Sequence, residues 1–214
     1  MNGRITVLLV DDHPIVREGY RRLLEESGKI HVVGEAAAVA EAYRLFRDLT
    51  PDVVVMDLAL PGVSGIEGIR RILAHQEDAR VLVFSMHEDA IFARRALEAG
   101  AAGYLTKGSA PRELVKAVES VAAGERYISH AMAQTLALAS ISLDDKSHGR
   151  LSAREFAVLE LLVQGQTIEE IARQLALTPK TVANRQSVIK QKLRVESTAQ
   201  LIHAAMRLGL VPRL

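Results

Sequence analysis

Pro51-Asp52-Val53-Val54-Val55-Met56-Asp57 is the stretch that decides the fold of this chain. Four apolar residues, three of them β-branched valine, run without a polar break into a carboxylate. Such a run fits a strand buried on both faces, as in a parallel sheet covered by helices. Leu58-Ala59-Leu60-Pro61-Gly62 follows and continues no regular element. Asp57 therefore stands where a strand leaves its sheet, the edge at which open α/β sheets bind ligands. Alone, an aspartate there is an ordinary boundary residue. Its neighbours decide what it is.

Upstream, Ile5–Val10 is an apolar run of strand length closed by Asp11-Asp12-His13-Pro14, with the proline placed for the first turn of a helix. That helix carries Ile15, Tyr20, Leu23 and Leu24 and ends near Gly28. A weaker strand at His31–Ala36 and a helix reaching about Leu49 complete the approach to Asp57. Downstream, a helix from about Gly65 leads to the strand Arg80–Phe84, ended by Ser85. A further helix from about Asp89 stops at Gly100, before the short strand Gly103–Thr106 and Lys107. Pro111 opens the last helix, closed by Gly124. Five strand–helix units in a row predict an α/β fold: a doubly wound, five-stranded parallel sheet with right-handed crossovers.

The residues just after the strands then share one edge: Asp11 and Asp12, Asp57, Ser85, and Lys107. Crowded carboxylates resist ionisation together unless a cation is shared. A hard divalent ion with oxygen ligands resolves this, and Mg²⁺ fits, held by a few carboxylates plus waters and phosphate. A lysine and a hydroxyl at the same edge supply charge and a hydrogen bond for phosphoryl oxygens. The set describes a site where Asp57 becomes an aspartyl phosphate. No G-x-x-x-x-G-K-[ST] loop and no G-x-G-x-x-G after the first strand occurs, which argues against a bound nucleotide.

Val10-Asp11-Asp12-His13, Met56-Asp57-Leu58, Leu60-Pro61-Gly62, Phe84-Ser85-Met86-His87 and Gly103-Tyr104-Leu105-Thr106-Lys107 resemble the receiver domain of bacterial two-component response regulators, a flavodoxin-like fold. The resemblance spans roughly residues 4–124. It implies that Asp57 accepts phosphate from a histidine kinase. It implies Asp12 and Asp57 as direct Mg²⁺ ligands, the Ala59 carbonyl as a third, and Asp11 acting mainly through water. Ser85 and Lys107 would stabilise the phosphoryl group. Ser85 and Tyr104 match the family's switch pair, in which Tyr104 rotates inward on phosphorylation.

The net charge of +1 hides an asymmetry. Residues 1–125 hold 15 Lys and Arg against 19 Asp and Glu, and residues 126–214 hold 12 against 7. Acidic and basic modules joined in one chain point to nucleic acid as the partner of the second. The expected division is a receiver at 1–125, a linker at 126–147 and a basic domain at 148–214. Within the linker Ser129 suits the cap of a short helix, and 142–150 is polar and turn-prone. The chain has no cysteine, which fits a reducing compartment, and no apolar stretch near the ~20 residues of a membrane span. A cytoplasmic protein without a membrane partner is expected.

The basic half opens three helices with capping boxes, Ser152-x-x-Glu155, Thr167-x-x-Glu170 and Ser197-x-x-Gln200, and a fourth with Thr178-Pro179. The second and the Pro179 helix are joined by a turn of helix-turn-helix length. The Pro179 helix has Val182, Val188, Ile189 and Leu193 for an apolar side, against Lys180, Asn184, Arg185, Ser187, Lys190 and Lys192. No acidic residue occurs from Ile171 to Val195. That suits the DNA major groove.

Leu151-Ser152-Ala153-Arg154-Glu155, Glu170-Ile171-Ala172, Leu177-Thr178-Pro179-Lys180-Thr181-Val182 and Ile189-Lys190-Gln191-Lys192-Leu193 resemble the LuxR-type, NarL/FixJ-type DNA-binding domain. The resemblance implies Pro179–Leu193 as recognition helix, with Thr181 joining the polar and basic residues above. The helix from about Ser197 to Leu208 resembles the family's dimerisation helix. Ala183 and Arg185 depart from the frequent Lys and His, so the target cannot be copied from relatives. The expected function is a transcription factor, not an enzyme. Phosphorylation of Asp57 by a cognate histidine kinase would control homodimerisation and binding to double-stranded DNA. The competing expectation is a DNA-binding regulator indifferent to phosphorylation, with the receiver as an interaction module.

Overall fold

A computed structural model describes residues 3–141, 151–175 and 177–207. They fall into two compact units, the first closing at Ile141 and the second drawn from 142–214.

The first unit is built on six strands: β1 (Ile5–Val10), β2 (Ile30–Ala36), β3 (Val53–Met56), β4 (Val81–Ser85), β5 (Gly103–Thr106) and β6 (Tyr127–Ile128). Between and after them run α1 (Pro14–Glu26), α2 (Val39–Leu49), α3 (Gly65–His75), α4 (Ala90–Glu98), α5 (Pro111–Ala122) and α6 (His130–Ile141). The order β2-β1-β3-β4-β5-β6, parallel throughout, reverses direction at β1. The crevice beside that switch point is where this architecture binds ligands.

Parallel strands need crossovers, so helices cover both faces and the central strands lose all contact with water. Val53–Met56 are at most 1 % exposed, as the unbroken apolar run demands. On one face Val7, Leu9, Val53 and Val55 pool with Leu24 of α1 and with Leu114, Ala117, Val118 and Val121 of α5. On the other, Gly68 of α3 lies among the side chains of Val39 and Met56, so α2, α3 and β3 meet where a larger residue would push them apart.

The sheet has six strands where five were expected. β6 is two residues long and pairs Tyr127 with Gly103 and Ile128 with Tyr104. Gly103 permits the approach, because a Cβ there would lie 2.5 Å from the Tyr127 carbonyl oxygen. Ser129 follows, nearly fully buried, its N–H donating to the Tyr104 carbonyl at 3.3 Å. Its Oγ accepts from Met132 N at 3.4 Å, starting α6 as the sequence predicts. Helix α6 rests on α4 and β5. Residues 127–141, expected within the linker, thus belong to the first unit. The polar stretch 142–150, His148 included, lies outside the described residues.

The described residues of the second unit form four helices and no strand: α7 (Ala153–Val163), α8 (Ile168–Gln174), α9 (Pro179–Leu193) and α10 (Thr198–Arg207). The capping boxes of α7 and α8 close reciprocally, and Thr178 Oγ1 accepts from Thr181 N at 3.2 Å. Ser197 Oγ accepts from Gln200 N at 3.1 Å while Gln200 Oε1 accepts from Ser197 N, the third box. Phe156, Leu159, Ile171, Val182, Ile189 and Leu201 form the buried interior. α9 packs on both α7 and α8. Leu208, the expected end of the last helix, lies outside the described residues. Among the described residues no helix is long and apolar enough to cross a membrane.

Candidate functional site

The sheet's own ladder sets the positions of the acidic and basic groups. Asp57 N donates to the Val10 carbonyl at 2.9 Å, extending the β1–β3 pairing by one residue. Lys107 N donates to the Ser85 carbonyl at 2.8 Å, doing the same for β4–β5. Asp57, Asp11 and Ser85 are 3 %, 2 % and 0 % exposed, unusual depths for such groups. Gly65, at the start of α3, holds Asp57 from behind: a Cβ there would run into the Asp57 carbonyl oxygen. Gly65 N also donates to the Leu58 carbonyl at 3.1 Å.

Lys107 joins the two buried carboxylates. Its Nζ donates to Asp11 Oδ2 at 2.6 Å and to Asp57 Oδ2 at 2.5 Å. The outer oxygens are held too: Asp11 Oδ1 accepts from His13 N at 2.9 Å, and Asp57 Oδ1 from Ala59 N at 3.2 Å. Burial alone would drive the Lys107 ammonium toward neutrality. The charges of Asp57 and Asp11 and their hydrogen bonds together outweigh it, and its pKa stands above the ordinary 10.5. Arg17 fixes the strand end by donating to the Asp11 carbonyl and to Glu35 Oε2 at 2.8 Å.

Asp11, Asp12 and His13 bring three ligand atoms within 4.8 Å of one another. Asp12 Oδ1 is buried and receives no hydrogen bond, although His13 Nδ1 lies 2.7 Å away and would pair with it when protonated. Against three carboxylates stands the single ammonium of Lys107, so the edge keeps an excess of negative charge. An acidic cluster with an orphaned oxygen suits a hard cation with oxygen ligands. The residues present fit one.

Ser85 lies at the neighbouring strand end. Its Oγ faces His87 N at 3.5 Å and lies within hydrogen-bonding reach of the Tyr104 phenol. The Tyr104 ring points inward and is fully buried, its hydroxyl donating to the His87 carbonyl at 2.8 Å. Burial, then the charge of Asp57, pushes the Tyr104 phenol well above its ordinary range. The His87 ring stacks on Phe92 with centroids 4.0 Å apart and planes 7° from parallel. Burial lowers its pKa. Neither the stacking nor the Lys107–Asp11 pair was read from the sequence, because both depend on spatial neighbours rather than on spacing.

In the second unit, Lys180, Asn184 and Ser187 are exposed on α9, while Thr181, Arg185 and Lys190 are half-buried on its flanks. Thr181 Oγ1 lies 2.8 Å from Thr178 Oγ1 and belongs to the helix cap. Ser187 Oγ donates to the Ala183 carbonyl at 3.1 Å. Lys192 turns the other way: its Nζ is 2.7 Å from Glu155 Oε2, the same oxygen that accepts from Ser152 N at 2.6 Å. Burial opposes the Glu155 charge, but Lys192 and Ser152 together hold its pKa below the ordinary value.

Comparison with known proteins agrees with both halves. Residues 7–119 match the response regulator receiver domain, and residues 149–205 match the bacterial regulatory proteins of the luxR family. The chain is 40 % identical over 208 residues to the response regulator UvrY of Escherichia coli K12, covering 96 % of this chain and 95 % of that one. It is 40 % identical over 209 residues to the response regulator GacA of Pseudomonas aeruginosa, covering 97 % and 98 %. Among solved structures it resembles RcsB of Salmonella enterica serovar Typhimurium bound to the promoter rprA in the presence of the phosphomimetic BeF3⁻. That match has a TM-score of 0.70 and 28 % identity, over 94 % of this chain and 98 % of that one. The chain belongs to the two-component response regulators of the NarL/FixJ family, transcription factors in which a receiver is joined to a LuxR-type DNA-binding domain.

Proposed function

We propose that Asp57 takes a phosphoryl group from a phosphohistidine of a sensor kinase, and that this controls pairing of the chain and its binding to double-stranded DNA. The observation that carries the reading is Lys107, whose ammonium bridges Asp57 and Asp11 at 2.5 and 2.6 Å. An Asp57 oxygen attacks phosphorus as the P–N bond to the histidine breaks, in line and with little covalent help needed from the protein. As negative charge shifts onto the phosphoryl oxygens, Lys107 exchanges its bond to Asp57 Oδ2 for one to a phosphoryl oxygen. The Ser85 hydroxyl donates to another. Asp11, Asp12, Asp57 and the Ala59 carbonyl would hold Mg²⁺, which supplies positive charge against the phosphoryl oxygens. Tyr104 and Ser85 are the switch pair of this reading, and homodimers on paired half-sites its output. RcsB, at 28 % identity, has been seen as dimers bound to DNA. In α9 the proposed contacts are Lys180, Thr181, Asn184, Arg185, Ser187 and Lys190, with Lys192 joining on release from Glu155.

The test is intact-mass spectrometry after incubation with Mg²⁺ and acetyl phosphate. One added phosphoryl group is expected on the native chain and none on Asp57→Asn. Equal labelling of the two would refute the assignment. A labelled chain that binds duplex DNA no better than the unlabelled one would refute the control.

A further inference from the structure

Helix α9 buries Val182 and Ile189 completely and turns the opposite side to solvent. On that side the exposed residues from Lys180 onward are Asn184, Ser187, Val188 and Gln191, a stripe about 100° wide at 3.6 residues per turn. Arg185 flanks the stripe on one side and Lys190 on the other. The periodicity of the sequence counts Val188 with the apolar face; the structure does not. Val188 is 39 % exposed, and it stands one turn after Asn184 amid side chains that all carry hydrogen-bonding groups. A β-branched residue there adds nothing to helix formation.

In the major groove one apolar feature marks a base pair, the C5-methyl group of thymine. The amides of Asn184 and Gln191 suit hydrogen-bonding base edges, and the flanking cations suit phosphates. An apolar side chain at the edge of such a stripe, on the side toward Arg185, suits the methyl. We propose that Val188 determines specificity in this regulator by packing its methyls against the C5-methyl of one thymine in each half-site. The inference rests on the DNA-binding reading above and goes beyond it by naming a residue and the atom it recognises.

The experiment uses the full chain, treated with Mg²⁺ and acetyl phosphate, and a pool of duplexes with a randomised core. Each thymine of the most enriched duplex is then replaced singly by uracil, which removes the methyl and nothing else, and affinity is measured at one salt concentration. Burying one methyl against an apolar partner is worth about fourfold in affinity, so one thymine per half-site should lose about that much on replacement. The loss should vanish in Val188→Ala, a substitution at an exposed site to a better helix former, and persist in Gln191→Ala. A methyl effect of equal size in native chain and Val188→Ala overturns the proposal, as does a duplex in which no uracil replacement matters. A pool that yields no enriched sequence overturns the DNA-binding reading itself, and this inference with it.

Discussion

Replacing Lys107 by methionine tests the electrostatics of the receiver most directly. The substitution keeps the length and apolar stem of the side chain and removes the ammonium that touches two carboxylates. Both of those oxygens lie within 2.6 Å of one nitrogen, so they are at most about 5 Å apart. At an effective dielectric constant of about 20, two unit charges at that separation repel by about 3 kcal/mol. Breaking a buried ion pair from one side is known to cost about 3–5 kcal/mol, so two independent routes give one magnitude. All four tyrosines lie in the first unit and the chain has no tryptophan, so tyrosine emission during urea unfolding follows the receiver alone. In chelator, Lys107→Met should lower the urea midpoint by about 2 M, taking about 2 kcal/mol per molar. Adding Asp57→Asn should recover half of the loss or more, since one of the repelling charges is gone. Millimolar Mg²⁺ should recover part of it in the single variant. The pH dependence has a definite sign. The folded pKa of Lys107 stands above 10.5, so its stabilisation is whole below that pH and disappears as pH rises through the folded value. The native chain should therefore lose stability in alkali more steeply than the variant. A loss under about 1 kcal/mol, or the same loss in the Asp57→Asn background, would refute the argument from repulsion.

Three further outcomes are expected. Thr50 caps α2 with φ of 43°, a left-handed conformation costly for a β-branched residue; Thr50→Gly should stabilise the receiver by about 1 kcal/mol in the same urea assay. Glu155→Gln removes the charge partner of Lys192 and weakens the α7 box, which should cost the second unit about 1–2 kcal/mol by helix circular dichroism and steepen the salt dependence of DNA binding as Lys192 is freed. Lys190→Ala should flatten the slope of log affinity against log salt by about 0.9 per chain, and an unchanged slope would remove Lys190 from the footprint.

The parts legible in the sequence were those written in local chemistry. An unbroken apolar run announced β3, and prolines at the first turn announced α1, α5 and α9. Because strands in a parallel sheet end at one edge, finding the strands was enough to bring Asp11, Asp57, Ser85 and Lys107 together. What stayed hidden depends on partners far along the chain. Lys192 has no local sign that Glu155 is its neighbour, 37 residues away. Val188 carries the hydropathy of a core residue, and only its exposure beside the fully buried Val182 and Ile189 sets it apart from them. β6 is too short for any alternation to reveal it. Helix α6 is apolar nearly all round, with Met132 and Ala139 buried and Leu138 exposed, so no stripe says which way it faces.

The two residues of β6 also determine where this protein can be divided. A receiver ended at residue 125, as its charge distribution invites, would strip the partner from β5 and bare the main-chain groups of Gly103 and Tyr104 along an open edge. Exposed sheet edges recruit other chains. It would also uncover the surface on which α6 rests, on α4 and β5. Such a fragment should associate and precipitate, while one ended after Ile141 keeps β5 paired and leaves only the two residues of β6 at the edge. The short strand thus serves as a selvage, the woven border that keeps a cloth from fraying where it is cut.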